Sequence, residues 1–146
     1  MELLRRVSSF NPPLEDLKVI YFLFVRSILE QSATVWHSSL TQENSDDIER
    51  VQKSVVKIMF GNKYIGYKKS LKKLEMDTLK NRREVLCLNF ALKSRKCLKT
   101  KHMFSENDKL HSIKLRKPER YANTERFRKS SVIYMQNLLN KHEQEQ

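Results

Sequence analysis

Glycine and proline are scarce in this sequence, at two and three residues in a chain of 146. Tight hairpins and loop-rich folds depend on both residues as punctuation, so a β-sandwich or a compact α/β unit is poorly served here. Leu, Lys, Glu, Arg and Gln are abundant instead, and these are good helix formers. The composition predicts an all-α fold, a small irregular helical bundle of about four to five helices with a loosely ordered basic C-terminal stretch.

Cysteine is equally sparse. Cys87 and Cys97 fall in one predicted helix, too far apart to bridge, and both read as helix-embedded thiols of a reducing compartment. Long apolar runs are missing too: Val19 to Val25 is bounded by Lys18 and Arg26, well short of the roughly 20 residues that cross a bilayer. The N-terminal Met-Glu-Leu-Leu-Arg-Arg has neither the apolar stretch nor the cleavage site of a secretory signal behind it. The expectation is a nuclear or cytoplasmic protein without a membrane partner.

Catalytic constellations are also lacking. There is no Gly-rich phosphate loop, and no Ser or Cys nucleophile that spacing would pair with a histidine. Cys87, Cys97, His102 and His111 are spaced C-x9-C-x4-H-x8-H, which matches neither a zinc knuckle nor a C2H2 finger. Asp46-Asp47 reads as favourable charge at a helix start. No metal or cofactor is expected, and no enzymatic activity.

Basic charge is present in excess, and unevenly. Up to Phe60 there are 7 Lys+Arg against 8 Asp+Glu; the whole chain has 29 against 17, so the remainder holds 22 against 9 and a net +13. Such asymmetry calls for a polyanionic partner.

Pro12-Pro13, followed by acidic Glu15 and Asp16, opens a first helix to about Glu30. Leu14, Leu17, Tyr21, Phe24, Val25 and Ile28 form one stripe of it, with Val19, Phe22 and Leu23 on other sides. In a chain this small part of that apolar surface is left to a partner. Thr41 or Ser45 caps a second helix ending before Gly61, with Ile48, Val51, Val55, Ile58 and Met59 facing the core. After a short connection comes a compact helix in which Tyr67, Leu71 and Leu74 align, and Lys68, Lys69, Lys72 and Lys73 form the densest basic face of the sequence. Asp77 or Thr78 caps a fourth helix to about Leu98, with Leu79, Leu86, Phe90 and Cys97 on one side. Lys99 to Arg128 reads as a polar linker, and Ser130 to Lys141 as a last amphipathic helix with Val132, Met135, Leu138 and Leu139. The expected division is a helical domain over residues 1–98, a partly disordered basic linker over 99–129, and a C-terminal helix and tail over 130–146.

Lysines on one helix face are a typical phosphate footprint, which makes Lys68, Lys69, Lys72 and Lys73 the first nucleic-acid-binding candidates. Arg126, Arg128 and Lys129 are a second set. Arg82 and Arg83 lie beside the apolar stripe of their helix, where pairing to an acidic neighbour and contact with phosphate both remain open. Trp36-His37 has the chemistry to stack on a base, though a Trp at a helix end is more often a core anchor.

Read in order, several stretches resemble the region after the catalytic palm in jockey-like and CR1-like non-LTR retrotransposon reverse transcriptases. Arg26-Ser27-Ile28-Leu29-Glu30 leads to Val35-Trp36-His37-Ser38-Ser39-Leu40, then to Ile48-Glu49-Arg50-Val51-Gln52-Lys53. Ile58-Met59-Phe60-Gly61 follows, with Tyr64, Tyr67, Leu71, Leu74 and Leu79. Arg82-Arg83-Glu84-Val85-Leu86-Cys87-Leu88 with Phe90-Ala91 continues the series. Asn123-Thr124-Glu125-Arg126-Phe127-Arg128-Lys129-Ser130-Ser131 and Tyr134-Met135-Gln136-Asn137-Leu138-Leu139-Asn140 close it.

The resemblance implies a thumb or post-thumb segment of an RNA-directed DNA polymerase, which contacts template and primer through their backbones. The aromatic-Ala-Asp-Asp turn that holds the catalytic metals is absent, so a noncatalytic fragment of a transposable element is expected. Its partners would be RNA or DNA, bound nonspecifically, and a missing polymerase body or another protein at the apolar first helix. Two rivals differ in class: a transposon-derived helical interaction module, and a nonfunctional translated remnant.

Overall fold

The computed structural model describes residues 2–104 and 124–144. Every regular element among them is helical, and the fold is all-α. The chain divides into two compact units, one formed by Met1–Ala33 and Leu40–Arg83, the other by Thr34–Ser39 and Glu84–Gln146.

The first unit begins with α1 (Glu2–Ser8), and the turn after it closes at Asn11 in the left-handed region, φ 50°, just before the two prolines. The expected first helix follows as one winding: α2 (Leu14–Ile20), a π-helical stretch (Tyr21–Arg26) and α3 (Ser27–Glu30). In an α-helix, residues four apart drift by about 40° around the axis; the wider π turn reduces that drift. Leu17, Tyr21 and Val25 therefore stay on the core side, while Val19, Leu23, Phe24 and Ile28 remain exposed.

Thr41 caps α5 (Gln42–Phe60), accepting a hydrogen bond from the Asn44 backbone N–H at 3.2 Å. Asp46 and Asp47 sit in its first turns, bonded to Gln42 and Arg50, which is a helix-start role. Gly61, φ 49°, ends the helix and donates its N–H to the Lys57 carbonyl. A short 3-10 turn (Gly61–Lys63) leads to α6 (Tyr67–Lys73). Lys53 lies over the Tyr67 ring and Lys73 over the Phe60 ring, so the connection doubles back and α6 runs in the same sense as α5. Leu4, Leu17, Tyr21, Val55, Val56, Met59, Phe60, Leu71 and Leu74 form the core.

The buried stripe of α5 is centred on Gln52, Val55, Val56 and Met59, with Ile48, Val51 and Ile58 only half-buried. Gln52 is almost fully buried because its amide links three elements. Its Nε2 donates to the Asp77 carbonyl at 3.1 Å, and its Oε1 accepts from the Leu79 N–H at 3.1 Å and, at 2.9 Å, shares the Tyr67 hydroxyl hydrogen with Glu49. The last bond satisfies a first-turn donor of α7 (Leu79–Lys96), another being taken by Thr78, whose hydroxyl accepts from the Asn81 N–H.

The second unit holds α4 (Ala33–Trp36) from Thr34 onward, the 3-10 turn His37–Ser39, most of α7, the turn Lys101–Met103, α8 (Glu125–Arg128) and α9 (Ser131–Gln144). Its core is Cys87, Ala91, Phe104, Met135 and Leu139, with Leu88, Val132 and Leu138 packed around them. The expected α7 stripe of Leu79, Leu86, Phe90 and Cys97 is corrected here. The buried positions are Leu79, Arg83, Cys87, Ala91 and Ser94, whereas Phe90 and Cys97 are exposed. Apolar residues occur on every side of α7, so periodicity does not select a face. The small side chains of Cys87 and Ala91 do, because they let Phe104, Met135 and Leu139 approach closely.

In the same unit His37 Nε2 and the Tyr134 hydroxyl are hydrogen bonded at 3.2 Å, their rings edge to face. Ser38 donates to the Lys129 carbonyl at 2.9 Å and Arg95 pairs with Glu143 at 2.5 Å. Most of the expected linker, residues 105–123, lies outside the described residues; Phe104 before it is buried.

Candidate nucleic-acid interface

The first unit concentrates lysine along α5, the connecting turn and α6. Lys53, Lys57, Lys63, Lys68, Lys69, Lys72 and Lys73 are all exposed, and none forms an ion pair with a carboxylate among the described residues. Helical spacing brings Lys53 and Lys57 to one side of α5, and Lys68, Lys69, Lys72 and Lys73 to adjacent positions on α6.

Aromatic rings are set between these cations. Lys53 lies 5.5 Å from the Tyr67 ring centre, Lys57 5.9 Å from that of Tyr64, and Lys73 5.7 Å from that of Phe60. Each contact holds a flexible ammonium near a π face, a weak attraction that reduces the ordering cost of meeting a phosphate. Glu49 borders this seam and accepts a hydrogen bond from the Tyr67 hydroxyl. Burial, and then the Glu49 carboxylate, push the Tyr67 phenol well above its ordinary pKa, so the hydroxyl stays a donor.

The arginine candidates are placed differently. Arg83 is fully buried and donates from Nη2 to the Ser45 hydroxyl at 3.0 Å, a position from which a phosphate in solvent is out of reach. Arg82 is half-exposed, but its Nε lies 2.5 Å from Glu30, which Arg26 also approaches at 3.6 Å. Burial, and secondarily Arg82, pull the Arg26 pKa below its usual value. Two guanidiniums thus share one largely buried carboxylate. Arg82 and Arg83 both engage a neighbouring side chain, Glu30 and Ser45 respectively.

In the second unit Arg126, Arg128 and Lys129 are exposed on and just after α8. Arg128 and Lys129 both pair with Glu125, at 3.6 and 3.0 Å, and the hydrogen bond from Lys129 holds the Glu125 carboxyl below its normal pKa. Their net charge is thereby reduced, leaving Arg126 as the cation of this set outside those pairs.

Sequence reading missed Lys53, Lys57 and Lys63 as members of the basic surface. The signal was present in Lys63-Tyr64 and Tyr67-Lys68-Lys69, tyrosines interleaved with lysines, but it took the doubling back of the chain to place α5 beside them.

Cys97 is exposed, and hydrogen bonds from the backbone at Lys99 and from Thr100 lower its thiol pKa. Cys87 is buried, His102 is exposed, and His111 lies outside the described residues. No group of three or more His, Cys, Asp or Glu suited to a metal occurs among the described residues, and none of their helices is long and apolar enough to cross a membrane. Trp36 is half-buried at the end of α4.

No protein-family model, curated protein or solved structure matches the chain.

Proposed function

We propose that the chain is a noncatalytic nucleic-acid-binding segment that grips the sugar-phosphate backbone of RNA or DNA, in the manner of the thumb and post-thumb region of a non-LTR reverse transcriptase. The supporting observation is the run of exposed lysines, unpaired with carboxylates among the described residues and interleaved with Tyr64, Tyr67 and Phe60, on α5 and α6. Such a surface neutralises phosphates without reading sequence, and its affinity falls as salt rises. The ordered blocks of sequence resemblance support a retrotransposon polymerase origin, in which template and primer would be the polyanion.

An anisotropy titration of the full chain against single-stranded RNA, single-stranded DNA and their hybrid, at about 50 and 200 mM salt, tests this. Binding to all three, weakened at least tenfold at the higher salt, is expected. Failure to bind any of them at the lower salt overturns the reading.

A second reading is favoured by Val19, Leu23, Phe24 and Ile28, which stay 52%, 63%, 56% and 71% exposed on one side of the first long winding. A protein partner at this face would be held by apolar burial, and its capture would survive high salt, unlike phosphate contacts.

A further inference from the structure

At one end of the lysine seam the first unit has a cleft of about 650 Å³, within the size range of small-molecule sites. It opens between the Asn11-Pro12 turn after α1, the last turn of α5, the Gly61–Lys63 turn and the end of α6. Two residues in the left-handed region shape its rim, Asn11 at φ 50° and Gly61 at φ 49°. Ser8 braces it by donating to the Ile58 carbonyl at 3.3 Å.

Its lining combines three chemistries. Met59 and Phe60 give an apolar wall, Asn11 and Asn62 give amide donors and acceptors, and Lys63 and Lys73 bring two positive charges from different elements. Neither lysine is ion-paired among the described residues. The C-terminal end of α5 contributes a partial negative charge of about −0.5, which the two full charges exceed, and its carbonyl-rich end suits the amino groups of a base edge.

We propose that this cleft receives one nucleotide unit, its base against Met59 and Phe60 with Asn11 and Asn62 at its edge, and its phosphate on Lys63 and Lys73. Lys73 belongs to both the cleft and the lysine face, so the proposal rests on the phosphate-binding reading of that face and adds a base-binding element to it. Paired bases in a duplex are stacked and cannot enter. A single strand, or a free nucleotide, can.

The test uses the full chain, Asn62→Trp, which fills the rim, and Lys63→Ala, with helical content checked by circular dichroism. The probes are a labelled single-stranded oligoadenylate, a blunt DNA duplex of equal length, and AMP followed by the amide resonances of Gly61 and Asn62. Asn62→Trp is expected to weaken the single strand roughly tenfold, the worth of one stacked base, and to leave duplex affinity within about twofold, while Lys63→Ala weakens the single strand by the loss of one phosphate contact and makes its salt slope shallower by about 0.7. AMP-induced shifts identify free nucleotide as a source; strand loss in the variants without such shifts identifies the strand alone. Should neither polynucleotide bind while AMP moves these resonances, the cleft stands and the backbone-grip reading falls. Single-strand affinity that both variants leave unchanged, with no AMP shift, overturns the proposal, as does an equal loss of strand and duplex in Asn62→Trp.

Discussion

Tyr21 is fully buried, and its hydroxyl has no hydrogen-bond partner among the described residues. An orphaned hydroxyl in a core carries an uncompensated desolvation cost. Tyr21→Phe is therefore expected to be neutral or stabilising by up to about 1 kcal/mol at neutral pH, as read from urea unfolding; a loss of about 1 kcal/mol or more would show that the hydroxyl is paired. Burial also raises the Tyr21 phenol well above its ordinary pKa. A group whose folded pKa is raised contributes stability that is complete below the unfolded pKa, near 10 for tyrosine, and is lost as pH climbs above it. Tyr67 shifts in the same direction. The unfolding midpoint should fall between about pH 9 and 11, and Tyr21→Phe should shrink that fall. Arg82 and Arg83 carry a second residue-scale lesson. Adjacent arginines in a basic protein read equally as phosphate ligands or as internal partners, and it takes the positions of Glu30 and Ser45 to show that both engage neighbouring side chains.

Among the elements, α7 depends on a side chain from another helix. Gln52 bonds the Leu79 N–H, the Asp77 carbonyl and the Tyr67 hydroxyl at once, joining α5, α6 and the start of α7. Gln52→Leu keeps the apolar volume but strips all three bonds, and a loss of about 2–3 kcal/mol in urea unfolding is expected. A change below about 0.5 kcal/mol would mean the amide is replaceable by water. Helix starts were legible in the sequence because their chemistry is local: Thr41 and Thr78 cap as their residue type suggests, and Gly61 ends α5. What could not be read was non-local or broke a residue preference. Gln52 sits on an apolar stripe but is polar, so periodicity passed over it. Glu75 takes the left-handed position that closes α6, φ 53°, where glycine is usual; the Met76 N–H reaches the Leu71 carbonyl across it. The π-helical stretch that separates the buried and exposed sides of the first long winding has no composition signal of its own.

For the whole molecule, the charge asymmetry visible in the sequence becomes a surface once the chain doubles back. Lys53 and Lys57, from the nearly neutral part of the sequence, join lysines from the basic part, and Tyr64, Tyr67 and Phe60 lie among them. The candidate face was thus half legible: the α6 lysines by spacing, the α5 lysines only by packing. Arg128 and Lys129 pair with Glu125, which leaves Arg126 as the cation of that set outside those pairs, so the lysine seam should dominate binding. The most direct measurement is the dependence of binding on salt, log K against log salt concentration, for the full chain and for the variant with Lys68, Lys69, Lys72 and Lys73 changed to Gln. Each phosphate contact contributes about 0.7 to the slope on single strands and about 0.9 on B-form duplex. A weaker complex whose slope is shallower by at least about 1.4, two contacts' worth on a single strand, is the predicted result. An affinity and slope that the four substitutions leave unchanged would contradict it.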